Sequence, residues 1–205
     1  MADGTSKPPR VFALTVGQPD AWCIQHGHRR LLNTKWHPAK APLPRPERAR
    51  RDEPDPVTSL VGAHVAIHAI ERPERDRMRD FQKRRNELSR RLELPIPPVG
   101  RLTYDAIIAV ARVVGCLEAP PKAPELARWW RGPHGLILED VVPVLPPLAC
   151  HRRGSALWPI WNDLVPVLRS RYRNGLEHLQ REAARRARGR EDDEERAAMM
   201  DPDTH

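Results

Sequence analysis

Prolines cut this 205-residue chain into short segments, and the apolar runs left between them limit what it can fold into. The 23 prolines gather in blocks. Six fall within residues 38–56, and others sit at Pro95–Pro98, at Pro120, Pro121 and Pro124, and at Pro143, Pro146 and Pro147. Between the blocks lie Val11–Val16, Leu60–Ile70, Ala106–Val114 and Gly135–Val142, each a short apolar run rich in β-branched residues, and each reads as a strand. Asn33–Trp36 is a further short strand. Ala106–Val114 is the most apolar and is placed at the centre of the sheet. With 40% apolar and 30% charged residues, the chain reads as a folded centre interrupted by solvated inserts. Residues 38–56, where arginines and acids surround the prolines, form one such insert, and Pro143–Pro147 mark irregular chain.

The helices announce themselves by a change of period. Pro19 opens a helical turn through Ala21, Trp22 and Ile24 that ends at Gly27. From Glu71 to Leu92, the apolar residues Met78, Phe81, Leu88 and Leu92 fall within about 80° of arc at 100° per residue, which predicts an amphipathic helix. Arg72, Arg79, Lys83 and Arg90 gather on its other side, as a phosphate-tracking stripe or as a solvated face paired with Asp76, Asp80 and Glu87. A short LARWWRG turn follows the prolines at 120–124. The run Ser155–Val167 ends the core, and from Tyr172 alternating charges predict a loosely attached helix that frays by Asp201. Residues 1–9 read as a disordered leader.

Charge narrows the partners. A formal net charge of +8 favours a polyanion. Cys23, Cys116 and Cys150 are far apart and form no CxxC pair, so they read as free thiols in a reducing cytosol, with no disulfide scaffold and no zinc site. His64 and His68 share a strand face but lack further ligands for a metal. No apolar run approaches the roughly 20 residues that span a bilayer. These features predict a cytoplasmic protein with no membrane segment and no cofactor.

Four strings, in order, resemble the ASCH family of the PUA-like superfamily. In LTVGQPDAWCIQHG, residues Leu14, Val16, Gln18, Pro19, Ala21, Ile24 and Gly27 fit that family's strand-then-helix opening, with Asp20 where an aromatic is usual. VAIHA (Val65–Ala69) is similar to its central strand, and IIAVARVVGCL to the strand that returns to the barrel. WWRGPHGLILEDVVPVLPPLACHRRGSALWPI resembles its closing section. The resemblance implies an α+β fold, a small PUA-like β-barrel flanked by helices. It places the domain at residues 10–170, with insertions at 38–58 and 71–100 and a charged helical extension at 171–205. It also implies a cleft that holds RNA or a modified base.

The family's motif G-x-K-x-x-E-x-R falls here on Gly27, Arg29, Leu32 and Thr34, with Lys35 one place late. Relatives that hydrolyse acetylated cytidine use the lysine, with a threonine at the acidic position. Guanidinium cannot be tuned into a general base and leucine offers no nucleophile, so this chain lacks the two groups that chemistry needs. Binding survives the change better. The expected RNA contacts are Gln18, Trp22, Arg29, Arg30, Lys35 and Trp36, with Arg152 and Arg153 in a basic loop. Two other readings remain. One is a ribonuclease or modified-nucleoside hydrolase with rearranged groups drawn from His28, Lys35, His68 and Glu139. The other is a scaffold whose C-terminal helix docks a protein.

Overall fold

The structure is a computed structural model and describes residues 11–37, 41–42, 57–70, 72–151 and 156–199. The expected leader, most of the 38–58 insertion, and Arg152 and Arg153 lie outside the described residues. The elements run β1 (Phe12–Val16), α1 (Asp20–Gln25), β2 (Leu31–Thr34), β3 (Ala41–Pro42), β4 (Val57–Thr58), β5 (His64–Ala69), α2 (Met78–Leu92), β6 (Ala106–Leu117), α3 (Pro124–Ala127), β7 (His134–Ala149), β8 (Leu157–Pro159) and α4 (Leu164–Met199). Six strands form one curled half-barrel sheet in the order β2-β7-β6-β5-β1-β8, and β3 pairs with β4 separately. The β1–β5 pair is parallel and its neighbours are antiparallel. The fold is α+β, as expected. No described helix is long and apolar enough to cross a membrane.

The apolar runs are uninterrupted because the central strands are covered on both faces. On β5, Val65, Ile67 and Ala69 enter the core under α1, while Ala66 faces a second core. On β6, Ile108, Ala111 and Val113 enter the first, and Ile107 and Val110 the second. Leu168 and Tyr172 of α4 close that second core. A third cluster joins Cys23, Leu31, Leu88, Ile96 and Trp129, so α2 is fastened to the body through Leu88. Buried Cys23 has its thiol pushed up to about 12 by burial and by Asp20 beside it, and it is inert.

Three elements depart from the sequence reading. The short strand sits at Leu31–Thr34, two residues before Asn33–Trp36. The irregular chain expected at Pro143–Pro147 is part of the 16-residue strand β7. Pro146 and Pro147 fit because the β6–β7 register jumps there, from Ala109↔Pro143 to Ile107↔Leu148, which leaves residues 144–147 out of the regular ladder, while Pro143 stays paired with Ala109. Finally, α4 is one 36-residue helix that begins at Leu164, with Pro166 tolerated in its first turn. Its first half is clamped to β7. Asn174 Nδ2 donates to the Leu145 carbonyl (2.9 Å) and Arg171 Nη1 to the Pro147 carbonyl (2.6 Å). Gly175 lies so close to β7 that a β-carbon there would overlap the Pro143 carbonyl oxygen.

Candidate nucleic-acid interface

The residues predicted to bind RNA separate into three groups. Arg29 turns inward and is 5% exposed. Its Nε donates to the Leu31 carbonyl (2.7 Å), its Nη1 to Asp20, and its guanidinium lies 5.6 Å from the Trp129 ring centroid. Arg84 of α2 adds a fork to the same carboxylate, with Nη2 at 2.6 Å and Nε at 3.0 Å. Burial works to raise the Asp20 pKa, but the Arg84 hydrogen bond and the Arg29 and Arg84 charges outweigh it and hold the carboxyl below its ordinary value. Arg29 is therefore a structural cation, and the expectation that it grips phosphate is corrected. Asp20 and Arg29 neutralise each other.

Gln18 and His68 are likewise committed. Gln18 Nε2 donates to the Thr103 carbonyl (2.8 Å), and its Oε1 accepts from the Trp22 amide (3.0 Å). It lines a cleft of about 380 Å³ with Arg72, Arg77 and Arg84, but both ends of its amide are in use. His68 is fully buried. Its Nε2 donates to the Cys150 carbonyl (2.8 Å), and its Nδ1 faces Thr15 Oγ1 (3.4 Å), which also accepts from Trp158 Nε1 (3.0 Å). Burial depresses the His68 pKa against the Cys150 hydrogen bond, so the ring is a neutral core histidine. Glu139 faces Arg112 at 3.7 Å on the exposed β6–β7 surface. Lys35 is exposed beyond the end of β2, and Trp36 packs partly against the first core. Because β2 and β5 are three strands apart, roughly 14 Å at sheet spacing, Lys35, His68 and Glu139 do not form one catalytic set.

Trp22, His28 and Arg30 do come together, with neighbours the sequence reading did not select. Trp22 and His26 are four residues apart across the end of α1, one above the other on a helical face. Their rings stack at 4.3 Å. His28 lies 5.5 Å from Trp22 and 6.3 Å from His26, nearly parallel to the latter. The His26 Nδ1 donates to the Trp22 carbonyl (2.9 Å), which fixes its ring. Gly27, at φ +73°, makes the left-handed turn that returns the chain so that His28 faces His26. Burial and the neighbouring His26 hold the His28 imidazole below its ordinary pKa, so it is neutral near pH 7.

Within this three-ring ridge His28 stands between two clefts, whereas Trp22 is partly buried against the third cluster and lines neither. One, about 500 Å³, is lined by His26 and His28 on one side and by His178, Leu179, Glu182 and Arg186 of α4 on the other. The second, about 250 Å³, is lined by His28, Arg30, Glu125 and Arg128. Arg30 is exposed and makes no ion pair among the described residues, and Arg186 reaches Glu182 only at 3.8 Å. Flat ring faces bordered by available guanidinium groups are what stacked bases and their phosphates require. The i, i+4 spacing of Trp22 and His26 was the readable signal for this ridge, whereas the approach of His178 and Arg186 was not. No family model matches the sequence, and no curated protein matches it.

Proposed function

We propose that the chain is an ASCH-like member of the PUA-like superfamily that binds single-stranded RNA. In this reading a base lies against the Trp22–His26–His28 ridge, and Arg30 and Arg186 hold the flanking phosphates. The observation that carries it is the stacked trio of rings with Arg30 and Arg186 in the clefts on either side. Support for the family comes from the ordered strings in β1–α1, β5, β6 and β7–β8, all of which lie in or against one half-barrel sheet. The mutual neutralisation of Asp20 and Arg29 argues against inherited amidohydrolase chemistry, because the family's lysine position is here a buried, paired guanidinium.

The test is fluorescence anisotropy with a panel of short single-stranded RNAs, with and without acetylated cytidine, at two salt concentrations. Binding should weaken with salt by a slope of about 0.7 for each phosphate neutralised. Trp22→Ala should cost about 1–3 kcal/mol, the worth of one stacked base, and Lys35→Ala should change little. A panel that shows no salt-sensitive binding would remove the reading.

A further inference from the structure

Between the first half of α4 and strands β5 and β6 lies a cleft of about 410 Å³. Its floor is apolar. Val110 and Leu168 belong to the second core, and Val11 and Val165 pack against it. Helical spacing then sets a polar edge beside the floor. At 100° per residue, Leu168, Tyr172 and Val165 fall within about 60° of one another, and Arg169 and Arg173 follow within about the next 80°. The two arginines are four residues apart, so they are neighbours on the helix surface. Both are exposed, as is His64 across the cleft on β5. The side chains of Arg169, Arg173 and His64 and the Tyr172 hydroxyl make no ion pair or hydrogen bond among the described residues.

Charge separates this cleft from the other three. The Gln18 cleft includes Glu74 and Asp80, the His26–His178 cleft Glu182, and the Arg30 cleft Glu125. Here two guanidinium groups border an apolar floor with no carboxylate among the lining residues. Two nearby parts of the chain do not complement it. The residues before Val11 bring Lys7 and Arg10, of the same sign as the edge. The acidic run Glu191–Glu195 lies on α4 about 27 Å beyond Arg173 and has no apolar side chain to cover the floor.

We propose that this cleft binds a small amphipathic anion, a carboxylic acid with an apolar body. The hydrocarbon part lies on Val110, Val165 and Leu168, and the carboxylate meets Arg169 and Arg173. An apolar concavity with a few unpartnered polar groups is the usual form of a small-molecule site, and the guanidinium fork matches a carboxylate in two hydrogen bonds. The cleft shares no residue with the two beside His28, so the proposal stands apart from the RNA reading.

The experiment is calorimetric titration of the full chain with octanoate, decanoate, 1-octanol and octyltrimethylammonium. Octanoate should bind with a Kd on the order of 1 mM. Decanoate should bind roughly 10- to 15-fold more tightly, at about 4-fold per methylene buried. The cation should not bind. Arg169→Gln with Arg173→Gln, both at exposed positions, should weaken octanoate about 3- to 10-fold and leave 1-octanol unchanged. Val165→Trp should fill the cleft and abolish binding of octanoate and 1-octanol alike, with circular dichroism confirming the fold. If that variant does not fold, the arginine pair still decides. Failure of both acids to bind, equal affinity for octanoate and the cation, or an octanoate affinity unchanged in the double arginine variant would overturn the site. Octanoate binding retained in folded Val165→Trp would overturn it as well.

Discussion

Replacing Asp20 by alanine should destabilise the protein by about 3 kcal/mol, although the residue lies on a short helix at the edge of the body. Its carboxylate is the shared acceptor for Arg29 and for the Arg84 fork. Removal leaves the Arg29 side chain, 6% exposed, with only the Leu31 carbonyl and the Trp129 face. Truncating one partner of a buried ion pair costs about 3–5 kcal/mol, because the other charge remains out of water. The low end applies, since the Asp20 side chain is itself 19% exposed and Arg84 can turn to Glu87, already at 3.2 Å. In a chain of this length that is roughly 6–12 °C in Tm. Asp20→Ala combined with Arg29→Met removes both charges and keeps an apolar chain against Trp129, so the double variant should be more stable than the sum of the two single losses predicts, by about 2 kcal/mol. Urea unfolding followed by tryptophan fluorescence gives both numbers, with m values checked for constancy. A loss below about 1 kcal/mol for Asp20→Ala, or strict additivity of the pair, would refute the argument.

Two glycines in α4 should respond oppositely to the same change. Gly175→Ala places a methyl on the Pro143 carbonyl and should cost about 1–3 kcal/mol by overpacking, whereas Gly189→Ala has open space and should raise helix content, worth up to about 1 kcal/mol; thermal unfolding and circular dichroism of the two variants check the signs. Stability should also fall with acidity. Burial depresses the folded-state pKa of His68 and of His28, so the unfolded chain takes up protons first; the protein keeps full stability above about pH 6.5 and loses at most about 1.4 kcal/mol per group for each pH unit below it. Urea midpoints at pH 7.5 and 5.5 measure this, and a flat profile would contradict the neutral, hydrogen-bonded state assigned to His68.

The sheet was legible because its central strands are buried on both faces, which writes continuous apolar runs such as Ile107–Ala111 into the chain. The proline stretch of β7 was not, because what accommodates it is remote: Arg171 and Asn174 of α4 supply donors to carbonyls that leave the ladder. The same difficulty hid the state of Arg29. The acid that claims it lies nine residues back, and the second arginine of the cluster lies on α2, 64 residues after Asp20. Local pattern singled out Trp22 and Arg30 as candidate RNA contacts and His28 only as a candidate catalytic group. The ridge they form with His26 follows from helical spacing and one left-handed glycine, both visible in the sequence. Its opposite wall on α4 depends on a helix that starts eight residues earlier than charge alternation suggests.

Ultraviolet crosslinking of bound single-stranded RNA, with the attached peptides mapped by mass spectrometry, tests the central claim most directly. The ridge account predicts crosslinks within residues 22–30, led by Trp22 and the adjacent histidines, with a second set on α4 around Arg186. Crosslinks confined to the Gln18–Arg72 cleft or to residues 151–158, with none in residues 22–30, would contradict it.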